Sequence, residues 1–98
     1  MKAKGGYVYI LCSLDKTTLY TGVTANLQKR LWEHQTKHHT NSFTSAYNCT
    51  KLVHYQFFDT IIAAIEEEKR IKAGSRAGKV KLIERMNYMW EDLSKEVS

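Results

Sequence analysis

The chain has 98 residues, of which 43% are apolar and 26% charged, and its 15 basic and 10 acidic side chains give a net charge of +5. That length leaves room for one core, no apolar run approaches the length of a membrane span, and the amino terminus lacks the apolar block of a secretory signal. Cys12 and Cys49, far apart, make neither a disulfide framework nor a zinc ribbon, so a reduced, cytoplasmic α+β domain over residues 1–98 is expected.

Residues 7–12 (YVYILC) and 19–24 (LYTGVT) are rich in β-branched and aromatic side chains and predict two strands. The polar stretch Ser13 to Thr18 between them reads as a hairpin loop. Pairing Leu11 with Tyr20 and Tyr9 with Gly22 places Tyr7, Tyr9, Tyr20 and Gly22 on one face. Val8, Ile10, Cys12, Leu19 and Val23 then share the other, and a slip of one residue would separate Tyr9 from Tyr20. Gly22 inside a strand marks either a bulge or the close approach of a ligand to the backbone.

Asn26 is the expected N-cap of a helix running to about Gln35. The polar residues from Thr36 to Thr50 read as a long loop. Lys51 to Phe58 predicts a third strand, with Val53, Tyr55 and Phe57 on one face. Asp59 or Thr60 starts a helix that Gly74 ends, and Ser75 caps another reaching about Met86. The order β-β-α-β-α-α predicts a small three-stranded antiparallel sheet flanked by helices.

Polar residues interrupt the apolar rows of three helices, and together they predict one polar cavity over the sheet. Glu68 lies within the stripe formed by Ile61, Ala64, Ile65 and Ile71, where a carboxylate is costly unless paired or bound to a cation. It is either a metal or polar-site residue, or a rim glutamate reaching out beside Lys72. Arg30 and His34 sit one turn apart along the edge set by Leu27 and Leu31. They form a local polar site or a surface pair. Asn87 continues the row of Val80 and Ile83, or simply ends the helix.

Charge is unevenly spread. Seven basic side chains fall between Lys69 and Arg85 against one acid, Glu84. Lys69, Lys72, Arg76, Lys79 and Lys81 are candidate contacts to a phosphate backbone, because each neutralised phosphate releases counterions. The alternative is a solvated helix face.

Tyr7-Val8-Tyr9 followed by Tyr20-Thr21-Gly22 resembles the paired motif of the GIY-YIG nuclease superfamily. The likeness continues through Arg30 and His34, through Ala64-x-x-x-Glu68, and through a basic helix to Asn87. It covers about residues 7–93 and is nearest to the small stand-alone bacterial members. Tyr7, Val8 and Thr21 depart from the motif's usual residues, and Asn87 precedes Tyr88 where proline is frequent. The resemblance implies a DNA endonuclease that hydrolyses a phosphodiester with one divalent cation, Mg2+ or Mn2+, bound weakly without DNA, and a role in DNA repair or processing. By residue, it implies Glu68 as metal ligand, Tyr9 as general base with Tyr20 assisting it or binding phosphate, and Arg30 at the pentacoordinate phosphorus. His34 would orient Tyr9 or relieve it of its proton, Asn87 would hold the polar network, and Gly22 would admit substrate. The partner implied is DNA, branched or damaged forms included, and no membrane. A phenol titrates near ~10, so Tyr9 is expected to need a cation, Arg30 or the metal at Glu68, to depress it.

Other classes account for less. A non-catalytic nucleic-acid-binding module explains the charge but gives Glu68 no role. A zinc module would use His34, His38 and Cys49, with only loop residues to complete four ligands. A partner-binding domain would use Trp32 and Trp90, positions more often filled by half-buried packing.

Overall fold

A computed structural model describes residues 5–36 and 48–97. Strands β1 (Gly6–Cys12), β2 (Leu19–Thr24) and β3 (Lys51–Phe58) form one antiparallel sheet in the order β2-β1-β3. Helices α1 (Leu27–Thr36), α2 (Ile61–Ala73), α3 (Arg76–Met86) and the short α4 (Ser94–Val97) pack around it. The α+β class and strand arrangement are those expected from the sequence, with α4 added. Residues 37–47, most of the expected loop, lie outside the described residues, and so does His38.

The register of the hairpin pairs Leu11 with Tyr20 and Tyr9 with Gly22. Each face of β1 therefore belongs to a different layer. Val8, Ile10 and Cys12 join Ala64 and Ile71 of α2 and Ile83 of α3 in one core. Tyr9 and Leu11 join Leu27 and Leu31 of α1, with Leu52 and Leu93, in the other. Gly6 lets α2 sit close on the first layer, since a Cβ there would lie 2.4 Å from Ile61 Cδ1.

The third strand corrects one expectation. Ile10 pairs with His54 and Leu11 with Leu52, so Val53 is an extra residue at a bulge. Val53 packs in the α2–α3 layer while Tyr55 packs in the α1 layer, and the two do not share a face.

The caps explain where the helices begin. Asn26 Oδ1 accepts from Lys29 N, Thr60 Oγ1 from Ala63 N, and Ser75 Oγ from Gly78 N, each satisfying a first-turn amide. The hairpin loop is held by the Asp15 carboxylate, which accepts from Ser13 Oγ and from Thr17 N and Oγ1. These bonds hold its pKa below the usual carboxylate value. Arg76 donates to the carbonyls of Lys16 and Thr17 at 2.7 and 3.1 Å. Its guanidinium straps α3 to the hairpin tip. No helix among the described residues is long and apolar enough to cross a membrane.

Candidate active site

The α1 layer gathers four of the residues singled out in the sequence. Tyr9 projects from the centre of β1 and is fully buried. Its hydroxyl accepts from Arg30 Nη1 at 3.3 Å and lies 3.4 Å from His34 Nε2. Arg30 and His34 are one turn apart on α1, so one helix face supplies both partners. The Tyr20 ring stands 6.4 Å from that of Tyr9 and 5.8 Å from that of His34. The Tyr20 and His34 rings thus flank one buried phenol that a partly exposed guanidinium reaches from outside.

Gly22 belongs to this group for a different reason from the one expected. A Cβ on Gly22 would fall 2.5 Å from Tyr9 Oη and 2.6 Å from its Cζ. The backbone of β2 is approached by the Tyr9 ring itself, and the irregularity of the sheet lies on β3, not at Gly22.

The electrostatics of the Tyr9 group are set chiefly by burial. Burial pushes the Tyr9 phenol up to about 12, against the lowering influence of the Arg30 hydrogen bond and charge. The guanidinium does not depress the phenol below its ordinary value, because desolvation of a buried anion is the larger effect. Burial also lowers the His34 pKa, with Arg30 adding to the effect and Glu33 opposing it. At neutral pH the pair is therefore a neutral phenol facing a neutral imidazole, with donor and acceptor set by the His34 tautomer.

Glu33 is a residue the sequence reading passed over. Its carboxylate meets Arg30 Nε at 3.5 Å and Lys29 Nζ at 3.9 Å. The i, i+3 and i, i+4 spacing from two cations was the available signal. By holding the Nε edge of Arg30, Glu33 leaves Nη1 aimed at Tyr9.

Glu68 and Asn87 belong to α2 and the end of α3, which pack on the other face of the sheet, and no hydrogen bond or ion pair among the described residues joins either to the Tyr9 group, so the expected single cavity is not formed by direct contacts. Glu68 is on α2, with a side chain only 12% exposed and Oε2 2.6 Å from Lys72 Nζ. Its neighbour Glu67 acts on the His54 imidazole of β3. A single carboxylate, with water and substrate oxygens completing the shell, suits a hard cation such as magnesium. Lys72 shares the same oxygen, and no group of three His, Cys, Asp or Glu is gathered among the described residues, so water and substrate oxygens would have to complete the shell. Asn87 caps α3. Its Nδ2 donates to the carbonyls of Val53 and Glu91, and its Oδ1 accepts from Glu91 N. These bonds tie the end of α3 to the β3 bulge.

Of the basic candidates, Lys72 is paired with Glu68, and Lys79 Nζ donates to the Gly74 carbonyl. Lys69 and Lys81 are exposed. Cys49 is buried, and Trp90, with its indole donating to Glu84, is packed in the core, whereas Trp32 is half-exposed.

The description of the GIY-YIG catalytic domain matches residues 5–82. The chain belongs to the GIY-YIG family. That domain is a nuclease domain, so the substrate class is nucleic acid. The chain is 44% identical over 77 residues to a UPF0213 protein of Syntrophus aciditrophicus, covering 79% of this chain and 87% of that one. It is 36% identical over 96 residues to a UPF0213 protein of Clostridium perfringens, covering 94% and 97%. The solution structure of a UPF0213 protein from Bacillus halodurans is similar at a TM-score of 0.56 and 26% identity, covering 93% of this chain and 95% of that one. Within this GIY-YIG chain, Tyr9 and Tyr20 of the paired motif fall on the same face of the sheet and meet around His34.

Proposed function

We propose that this protein is a divalent-metal-dependent endonuclease that hydrolyses DNA phosphodiester bonds, acting in the cytoplasm in DNA repair or processing. The observation that carries the reading is the Arg30–Tyr9–His34 chain, held at 3.3 and 3.4 Å around a fully buried phenol. Free, buried Cys12 and Cys49 are consistent with a reducing compartment.

The chemistry follows from the two pKa shifts. With a phenol near 12, forming a free Tyr9 phenolate at pH 7 costs about 7 kcal/mol. Tyr9 therefore acts as a relay. With substrate bound and a water admitted to the phenol, its oxygen takes a proton from that attacking water while its own proton passes to His34 Nε2, in the tautomer that leaves Nε2 free to accept. Hydroxide adds to phosphorus, the P–O bond to the leaving oxygen breaks, and that oxygen takes a proton from solvent. His34 ends as imidazolium and returns its proton to water. Arg30, partly exposed beside the phenol, offers its remaining N–H groups to the non-bridging oxygens, where negative charge grows. Glu68 would hold the divalent cation, which supplies further neutralisation of the phosphoryl charge when bound.

The test is cleavage of a panel of linear, nicked, flapped and four-way-branched DNAs with Mg2+ or Mn2+. Metal-dependent, EDTA-sensitive cuts in at least one substrate are expected. Binding without cleavage across the panel would favour a nucleic-acid-binding module that keeps the nuclease fold.

A further inference from the structure

Two clefts flank the start of α1. One is lined by Lys29 and by Arg30, whose guanidinium reaches Tyr9. The other is a cavity of about 410 Å³, within the ~300–1,000 Å³ of small-ligand sites. Tyr7, Tyr55 and Leu27 form its walls, and Asn26, Gln28 and Glu96 bring polar groups to it; Asn26 lines both clefts. Tyr7 and Tyr9 are two residues apart on one face of β1, about 7 Å at ~3.4 Å per residue. Tyr55 pairs with Tyr9 from β3. Nucleotides of one strand rise by about 3.4 Å each in a duplex, so the cavity opens one or two nucleotides from the phenol.

The polar groups of the cavity are unequally committed. Asn26 Oδ1 is taken by the helix cap, which leaves its amide N–H groups as donors. Glu96 Oε1 accepts from the Tyr55 hydroxyl at 2.9 Å, and no cation pairs with this carboxylate among the described residues. The Tyr7 ring stands edge-on to Phe57 at 5.2 Å, and its hydroxyl makes no hydrogen bond among the described residues. An unpaired carboxylate repels phosphate, so the cavity does not suit the backbone. It suits a base, because tyrosine rings stack on any base face. A carboxylate accepts two adjacent N–H bonds from guanine alone, through N1 and N2. Adenine and cytosine offer one amino group beside an acceptor, and thymine one N–H between two carbonyls. The amides of Asn26 and Gln28 are donors for the O6 of the same guanine.

We propose that this cavity takes an unstacked nucleobase, guanine by preference, from a nucleotide adjoining the one presented to Tyr9. The inference rests on the DNA substrate of the proposed function and deepens it, since it names an unpaired nucleotide beside the cut as the feature recognised. Arg30 then meets the backbone on one side of Asn26 while Glu96 reads the base on the other.

The experiment is fluorescence anisotropy with the full chain in EDTA, which withholds the divalent metal, on four short duplexes. One is fully paired; the others carry, at the same place, a single unpaired guanine, a single unpaired thymine or an abasic residue. Wild type should bind the guanine bulge about 5- to 100-fold more tightly than the thymine bulge, the discrimination of one good two-bond contact. The abasic bulge distorts the duplex without offering a base, and it should bind more weakly than the guanine bulge by about 5- to 100-fold, the worth of a stacked base. Glu96→Gln, an exposed and nearly isosteric change, should bring guanine and thymine bulges within about twofold of each other and leave the paired duplex bound as by wild type. Tyr7→Leu should weaken both base-bearing bulges and leave the abasic one unchanged; melting curves like that of wild type would establish that both variants are folded. Equal binding of the guanine, thymine and abasic bulges by wild type, or a folded Glu96→Gln that keeps the guanine preference, would overturn the proposal and leave the DNA reading standing. Binding to none of the four duplexes would overturn the DNA reading and the proposal with it.

Discussion

Replacing Gly22 by alanine adds one methyl group against the reactive phenol. The new Cβ would lie 2.5 Å from Tyr9 Oη, 2.6 Å from Cζ and 3.1 Å from Tyr20 Cε2. Unstrained contacts between such atoms are about 3.5 Å or more, so the Tyr9 ring must withdraw by roughly 1 Å. The ring is fully buried, and its hydroxyl already sits near the limit of hydrogen bonding to Arg30 and His34. Withdrawal therefore costs packing and separates the phenol from at least one partner. Overpacking of this kind costs about 1–3 kcal/mol. Alanine recovers up to ~1 kcal/mol through the unfolded chain, since no glycine here has a positive φ that forbids it. A net loss of about 1–2 kcal/mol by urea denaturation is expected. A displacement of about 1 Å at a reacting group can cost ~10²-fold in rate, which single-turnover cleavage would show. A Gly22→Ala variant as stable as wild type and equally active would refute the claim that Gly22 exists to seat Tyr9.

The remaining predictions concern other parts of the molecule. His34 and His54 are both held below the ordinary histidine pKa, chiefly by burial. The unfolded chain then binds more protons, so stability is unaffected above the unfolded value near 6.5 and falls as pH drops below it; thermal melts from pH 7.5 to 5 should show the loss, and His54→Gln should reduce it. Glu68→Gln keeps the shape and removes the anion beside Lys72, so it should abolish metal-stimulated cleavage while DNA affinity by fluorescence anisotropy is retained or rises. Arg76→Ala should leave DNA affinity nearly unchanged, because the guanidinium is engaged with Lys16 and Thr17, but should speed hydrogen exchange at the hairpin tip.

The parts of the fold visible in the sequence are those set by local chemistry. The hairpin register follows from alternation of Val8, Ile10 and Cys12 with Tyr9 and Leu11, because a slip would turn one core outward. Asn26, Thr60 and Ser75 marked helix starts because each side chain can satisfy only a nearby first-turn amide. The bulge at Val53 was not visible, since Leu52 and Val53 are both apolar and either could face either layer. The direction of the Tyr9 shift was not visible either. It depends on how completely α1 shuts out water, a packing property, whereas the sequence shows only that Arg30 carries a charge. The strap made by Arg76 was not visible for the same reason, because its partners are backbone carbonyls 59 and 60 residues away.

The most direct test of the hydrolytic site is the single-turnover cleavage rate of Tyr9→Phe. The substitution keeps the buried ring and removes only the oxygen that joins Arg30 to His34. Loss of the proton-transferring group should lower the rate by about 10²- to 10⁴-fold at unchanged DNA affinity. A Tyr9→Phe enzyme that cuts within a few-fold of wild type would show that the proton does not pass through Tyr9, and the account of the site would be wrong.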